Sequence, residues 1–297
     1  MTERSATNGR VTIAYETIGD DGGEPLLLVM GTAAQMLNWP DGFCRRFVDR
    51  GFTVARFDNR DAGHSTRLSE HGRPSALRMW LRPASAAVYR LEDMAADAVA
   101  VLDDAGWPAA HLVGFSQGGM IAQVIAGRYP QRALSLTSIA STPAPRLGQP
   151  TPATLVKIAR TVNPKRLKSP DDLARHLLDM QRIVGSPGYP ADGDELRELA
   201  LRVHRRGGVD MAAIQRQTAA IAASGDRRAD LAKLSLPSLV LHGSADRVTR
   251  PVAGRATADA IPGARYVEYA GMGHELPPGL WDPIVDEIVA VTKLSVA

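Results

Sequence analysis

Serine is a weak nucleophile at neutral pH, so a chain that uses one must expose its hydroxyl and set a base beside it. The segment Gly114-Phe115-Ser116-Gln117-Gly118 meets the first requirement. It fits the G-x-S-x-G pattern, in which the serine sits on a strained turn between a strand and a helix. Glycines flank that serine because the turn brings neighbouring backbones too close for side chains. The surrounding residues supply the context the pattern needs. Residues 111–115 form an apolar, strand-like run, and 118–129 read as a helix ended by Pro130. Gly119 adds a third glycine where that helix must pack on the sheet. The free N–H groups of the helix start would lie where negative charge develops on a bound carbonyl.

The partners can then be sought. A serine of this kind needs a histidine base, and the base needs a carboxylate to hold its tautomer and stabilise the imidazolium. After such an elbow the carboxylate comes next in the chain and the histidine last. Of seven histidines, His64, His71 and His111 precede Ser116, while His176 and His204 fall in a charged helical stretch. His242 lies where a strand runs into a loop. His274 lies in Gly271-Met272-Gly273-His274-Glu275, a glycine-rich loop after the last strand that can lay an imidazole over a sheet edge. His274 is therefore the preferred base. Asp246 follows the strand-like run 238–241 at once, which puts it at the carboxyl end of the sheet, where open α/β sheets bind ligands. Asp226, Asp230 and Asp259 have no such strand before them. Glu275 is expected to be solvated or to support the site from outside the triad. Two backbone N–H groups are expected to form the oxyanion hole, those of Gln117 and of Thr32 in the loop after Met30-Gly31.

These residues need an architecture in which to meet. The first third of the chain alternates short apolar runs with helical segments, the mark of an α/β domain with a largely parallel sheet. Residues 11–15 read as an early strand. Residues 26–30 form a continuous apolar run, as in a strand buried on both faces. Further strands are read at 52–57, 133–139, 236–241 and 266–269. Leu91, Met94, Ala98, Val101 and Leu102 fall at helical spacing, ended by Gly106 and Pro108. A last amphipathic helix is read around 282–292. Between 141 and 228 the texture changes to proline and small residues, then to charged helical sequence poor in strand formers. The expected organisation is an α/β core of residues 1–142 and 230–297, with a helical cap inserted over 143–229. Met180 and Met211 in that cap either line an apolar pocket or pack its helices together.

Composition narrows the class. The chain has 297 residues, 44% hydrophobic and 23% charged, which suits a soluble globular protein with a large core. The net charge of +3 is small and its lysines and arginines are scattered, so no nucleic-acid partner is expected. Arg205-Arg206 and Arg227-Arg228 read as solvated faces. No apolar run is long enough to span a bilayer, and residues 1–10 are polar, so no stable membrane insertion and a cytoplasmic location are expected. The single cysteine, Cys44, reads as a small buried side chain on an amphipathic helix. A homodimer is compatible with this sequence.

With these residues identified, the chain resembles the α/β-hydrolase superfamily and, within it, the bacterial esterases similar to aclacinomycin methylesterase. The resemblance is carried by Leu26-Leu27-Leu28-Val29-Met30-Gly31, by Trp39-Pro40 with Phe43, and by Phe57-Asp58-Asn59-Arg60-Asp61 with Gly63 and Ser65. The elbow at Ser116 and Gly271-Met272-Gly273-His274 with Leu276-Pro277 complete it. It implies an α/β-hydrolase fold with a helical cap, and a Ser116, Asp246 and His274 triad that cleaves a small-molecule ester without cofactor or metal. Asp61 stands where many relatives have glycine. Two other functions are compatible with the resemblance: a cofactor-free perhydrolase or haloperoxidase with the same triad, and a non-catalytic receptor on the same fold.

Overall fold

A computed structural model of the protein describes residues 2–161, 167 and 169–295. Eight strands form one sheet: β1 (Arg4–Asn8), β2 (Val11–Ile18), β3 (Glu24–Val29), β4 (Phe52–Phe57), β5 (Ala110–Phe115), β6 (Ala133–Ile139), β7 (Ser238–Gly243) and β8 (Arg265–Tyr269). Their spatial order is β1-β2-β4-β3-β5-β6-β7-β8. β1 and β2 run antiparallel to their neighbours, and every other pairing is parallel. The chain winds outward from β3 to β4, then returns past β3 to place β5 on its other side. That reversal between β3 and β5 is the topological switch point, where the strand ends diverge and leave a crevice.

The apolar runs explain the middle of the sheet. Leu26, Leu27, Leu28 and Val29 are fully buried, and their side chains alternate between two faces. Leu27 and Val29 join one core with Ala55, Phe57 and Leu112, under α4 (Leu91–Asp104) and α5 (Gln117–Arg128). Leu26 and Leu28 join the other with Val54 and Val113, under α1 (Asp41–Val48) and α12 (Trp281–Thr292). Each buried leucine contributes about 1.5–3 kcal/mol, so the two faces fix strand register firmly. Cys44 is fully buried on α1 beside Phe43 and Phe47, and burial pushes its thiol up to about 12.

The smaller helices follow the loops. α2 (Ala76–Leu81) and α3 (Pro83–Ala86) lie after β4, α10 (Arg228–Leu231) before β7, and α11 (Pro251–Ala260) between β7 and β8. Between β6 and β7 the chain inserts α6 (Pro152–Thr161), α7 (Pro170–Val184), α8 (Gly193–Arg205) and α9 (Met211–Ala223). Among the described residues this insertion has only a small apolar core of its own, Leu173, Ala174, Ala200 and Val203. Among the elements that escaped the sequence reading are β1, α2, α3 and α11. β1 is Arg-Ser-Ala-Thr-Asn with Ala6 alone buried, so it has no alternation to read, and the buried face of α11 is only Ala253, Gly254 and Thr257. Among the described residues no helix is long and apolar enough to cross a membrane.

Candidate active site

Ser116 follows β5 directly and has φ 56° and ψ −119°, a conformation an L-residue adopts only under constraint. The constraint comes from both sides. A Cβ on Gly118 would lie 1.8 Å from the Val29 carbonyl oxygen, and one on Gly114 would lie 2.2 Å from that of Gly118. Helix α5 is thereby drawn against β3, and Ser116 is held at its first turn. The Ser116 N–H donates to Ile139 at 2.8 Å, and its carbonyl accepts from Ser141 Oγ at 2.7 Å.

The strand ends bring the other two side chains to it. His274 Nε2 lies 3.0 Å from Ser116 Oγ, and His274 Nδ1 lies 2.8 Å from Asp246 Oδ2. Asp246, on the loop after β7, accepts N–H bonds from Val248 and Thr249 on its other oxygen, at 2.8 and 2.9 Å. Burial works against its charge, but His274 and His242 outweigh that cost and hold the carboxyl well below the usual carboxylate range. It is the ionised partner an imidazolium would need. His242, the histidine set aside in favour of His274, is fully buried beneath Asp246. Its Nε2 lies 2.7 Å from the Thr249 carbonyl, which can only accept, so Nε2 carries the proton there.

The loop after β3 forms the opposite wall. A Cβ on Gly31 would sit 3.0 Å from Ser116 Cβ, so the backbone at 31–33 passes directly over the serine. Among the described residues, neither the Thr32 nor the Gln117 N–H has a protein acceptor, and Thr32 lines the cavity above Ser116. That cavity has a volume of about 850 Å³. Its walls are largely apolar, with Leu177, Met180, Leu199, Met211, Ile214 and Trp281 facing His274 and Ser116. Met180 and Met211 therefore line the pocket. Among the described residues, no cluster of His, Cys, Asp and Glu is arranged to hold a metal ion.

The insertion is fastened to the site by polar contacts that sequence reasoning missed. The loop after α7 grips the His274 loop. His274 N–H donates to Val184 O at 2.8 Å, Gly273 N–H to Ser186 Oγ at 2.8 Å, and Ser186 N–H to Glu275 Oε1 at 2.6 Å. Glu275 is thus an anchor, accepting also from Gln181 Nε2 at 2.6 Å. Asp61 has φ 68°, a glycine-like backbone, and is fully buried in its side chain against Arg216 of α9. Arg216 donates to both its oxygens, at 2.7 and 2.8 Å, and Tyr89 donates a third bond at 2.7 Å. Two expectations of solvated arginines are corrected. Arg206 donates to the buried Asp58 at 2.6 Å, and Arg227 is buried, donating to Thr142 O at 2.7 Å and Gln123 Oε1 at 3.1 Å. Both join the insertion to the sheet. The one signal in the sequence was Asp61 itself, an acid where many relatives have glycine, and its burial is met by Arg216, Tyr89 and the Leu68 N–H.

A model of the α/β-hydrolase fold matches residues 24–277. The chain belongs to the α/β-hydrolase family. It is 32% identical over 313 aligned positions to rhodomycin D methylesterase DnrP of Streptomyces peucetius, with 99% of each chain covered. The corresponding enzyme DauP of Streptomyces sp. strain C5 is likewise 32% identical over 312 positions, again with 99% of each chain covered. Among solved structures, the esterase RhEst1 of Rhodococcus sp. ECU1013 superposes with a TM-score of 0.72 at 21% identity, covering 100% of this chain and 99% of that one. That last likeness is one of fold.

Proposed function

We propose that this carboxylic ester hydrolase works through Ser116 as nucleophile, His274 as general base and Asp246 as the carboxylate that orients it. The observation that carries the reading is the continuous chain of contacts, hydroxyl to imidazole at 3.0 Å and imidazole to carboxylate at 2.8 Å. His274 takes the hydroxyl proton as Ser116 attacks the ester carbonyl, and the N–H groups of Thr32 and Gln117 hold the oxyanion. The imidazolium then gives its proton to the departing alcohol, leaving an acyl-enzyme. Water, activated by the same imidazole, releases the acid.

The substrate we propose is a small alkyl ester, a methyl ester above all, of a bulky and largely apolar acid. The full-length kinship with two methylesterases supports the small alcohol. The apolar walls of an 850 Å³ cavity support the bulky acid, since pockets of this size enclose drug-sized molecules. In this reading residues 143–229 form a cap over a catalytic core of 1–142 and 230–297. The lone buried thiol of Cys44 suits a reducing compartment, and we place the enzyme in the cytoplasm.

The test is covalent labelling with a fluorophosphonate, followed by turnover of methyl esters of acids of increasing bulk. The expected result is one label per chain, on Ser116, and a preference for the bulkier acids. Ser116→Ala is expected to lose the label and at least about a thousandfold in turnover while staying folded, because triad members act as a unit. Undiminished hydrolysis by that variant overturns the assignment.

A further inference from the structure

One residue of the insertion, outside the triad, contacts both the loop that carries Thr32 and the side chain of Gln117, the residues of the two proposed oxyanion donors. Gln217 on α9 is nearly fully buried. Its Oε1 accepts from the Ala33 N–H at 3.0 Å, and its Nε2 donates to the Arg60 carbonyl at 2.9 Å. The chemistry fixes the amide's orientation, because a backbone N–H can only donate and a carbonyl can only accept. Its own backbone carbonyl accepts from Gln117 Nε2 at 3.2 Å. One residue therefore meets the loop that carries Thr32 and also the residue after the nucleophile.

Ala33 has φ 66°, a left-handed conformation that an alanine keeps only when its surroundings impose it. The loop is held at both ends. Asn59 Nδ2 donates to Met30 O at 2.8 Å on the near side, and Gln217 takes the Ala33 N–H on the far side. Between those two contacts lies Thr32, whose N–H has no protein acceptor among the described residues and is left available to a bound substrate. Next door on α9, Arg216 is locked to Asp61 by two bonds, which sets the rotation of the helix and aims Gln217 at the loop.

We infer that Gln217 is a positioning residue that preorganises the oxyanion hole from the inserted segment, through its hydrogen bond to Ala33. The inference rests on the serine esterase reading above. Preorganised donors contribute most where charge develops in the transition state, so loosening them lowers kcat more than it weakens ground-state binding.

The experiment compares parent, Gln217→Met and Gln217→Glu on one ester, together with inhibition by a trifluoromethyl ketone. Such a ketone forms a tetrahedral oxyanion on the serine and reports the hole directly. Gln217→Met keeps the side-chain length and removes both hydrogen bonds. It is expected to lose about tenfold to a hundredfold in kcat with KM nearly unchanged, and to weaken the ketone by a matching factor. Gln217→Glu keeps an acceptor for the Ala33 N–H and is expected to fall between the two. Thr218→Val, an exposed change on the same helix, is expected to behave as parent.

A raised KM with kcat and ketone affinity intact would reduce Gln217 to a support for the pocket and overturn the inference. Should the variants not fold, hydrogen exchange on the parent answers instead: a slowly exchanging Ala33 amide supports the contact, and a fast one sinks it. A parent that neither takes the fluorophosphonate at Ser116 nor hydrolyses esters fails at the underlying esterase reading, which is a different result.

Discussion

The sheet and the helical insertion are held by opposite means. The sheet lies between two continuous apolar cores, with β3 feeding alternate side chains to each. Among the described residues the insertion has a core of four buried residues and is fixed to the sheet by buried polar pins. The pins are Arg216 on Asp61, Gln217 on Ala33, Arg206 on Asp58, Arg227 on Thr142, and Ser186 on Glu275. Apolar burial is strong and non-directional, and it fixes where the strand ends that precede Ser116, Asp246 and His274 stand. Hydrogen bonds and ion pairs are directional, and three of the pins end on loops that carry the site or on their immediate supports. In the proposed mechanism the core would thus provide the chemical groups and the insertion would hold the loops that carry them.

The largest expected effect tests the Arg216 pin. Removing one member of a buried ion pair strands the other charge and costs about 3–5 kcal/mol. Burial works against ionised Asp61, but bonds from Arg216, Tyr89 and the Leu68 N–H outweigh it and hold the carboxyl below its ordinary value. Arg216→Met alone is therefore expected to lower stability to denaturant about as much as Leu28→Ala, which truncates a core side chain at about 2–5 kcal/mol. The two regions part company in the repair. Arg216→Met with Asp61→Gly removes both charges and places glycine where the backbone already has φ 68°, so the double variant is expected to regain part of the loss, the remainder being the Tyr89 hydroxyl and Leu68 N–H left without their acceptor. A double variant no more stable than Arg216→Met would show that this junction, too, is held by packing rather than by a charge pair.

A smaller effect concerns the loop after α7. Glu275→Ala frees the Ser186 N–H and Gln181, and through them the His274 loop, and is expected to lower kcat by about tenfold. Glu275→Gln is expected to stay near the parent. Its one remaining oxygen can still accept from Ser186, and the Gln181 amide can turn over to accept from the new N–H₂ group. Equal losses in both variants, measured as kcat at saturating ester, would mean that charge at 275 matters and hydrogen-bond geometry does not.

How much of this was legible follows the same division. β4 at 52–57 and β6 at 133–139 were read at their bounds because short runs with apolar residues at most positions mark strands. Ser116, Asp246 and His274, which the structure brings within hydrogen-bond reach of one another, were singled out because a turn motif and chain order constrain each in its own neighbourhood. The pins were invisible for a physical reason: Arg216 and Asp61 lie 155 positions apart, Gln217 and Ala33 184 apart, and neither pair has periodicity or spacing to betray it. Arg206 and Arg227 were misread as solvated because an arginine carries no local mark of its distant partner. Asp61 alone departed visibly from a pattern, and that departure marked the pin.

The smallest effect separates the two regions by pH. The folded-state value of Asp61 lies below its unfolded value of about 3.9, so its stabilisation is fully present above that value and lost only as pH falls through the folded one. The same sign holds for Asp246, whose charge His274 and His242 sustain. His111 and His176 act at higher pH: burial holds both below the ordinary imidazole value, so their contribution is present above about pH 6.5 and is lost as pH falls through their folded values. Between pH 8 and 5 the denaturation midpoint is therefore expected to fall by the share of these two histidines, while the Arg216 pin on Asp61 stays closed. Structural loosening of the insertion, followed by hydrogen exchange along α9, is expected only below about pH 4. Loss of α9 protection already above pH 5, in step with the fall in the midpoint, would show the pin giving way with the histidines rather than with Asp61, and would remove the charge pair as the reason the insertion stays seated.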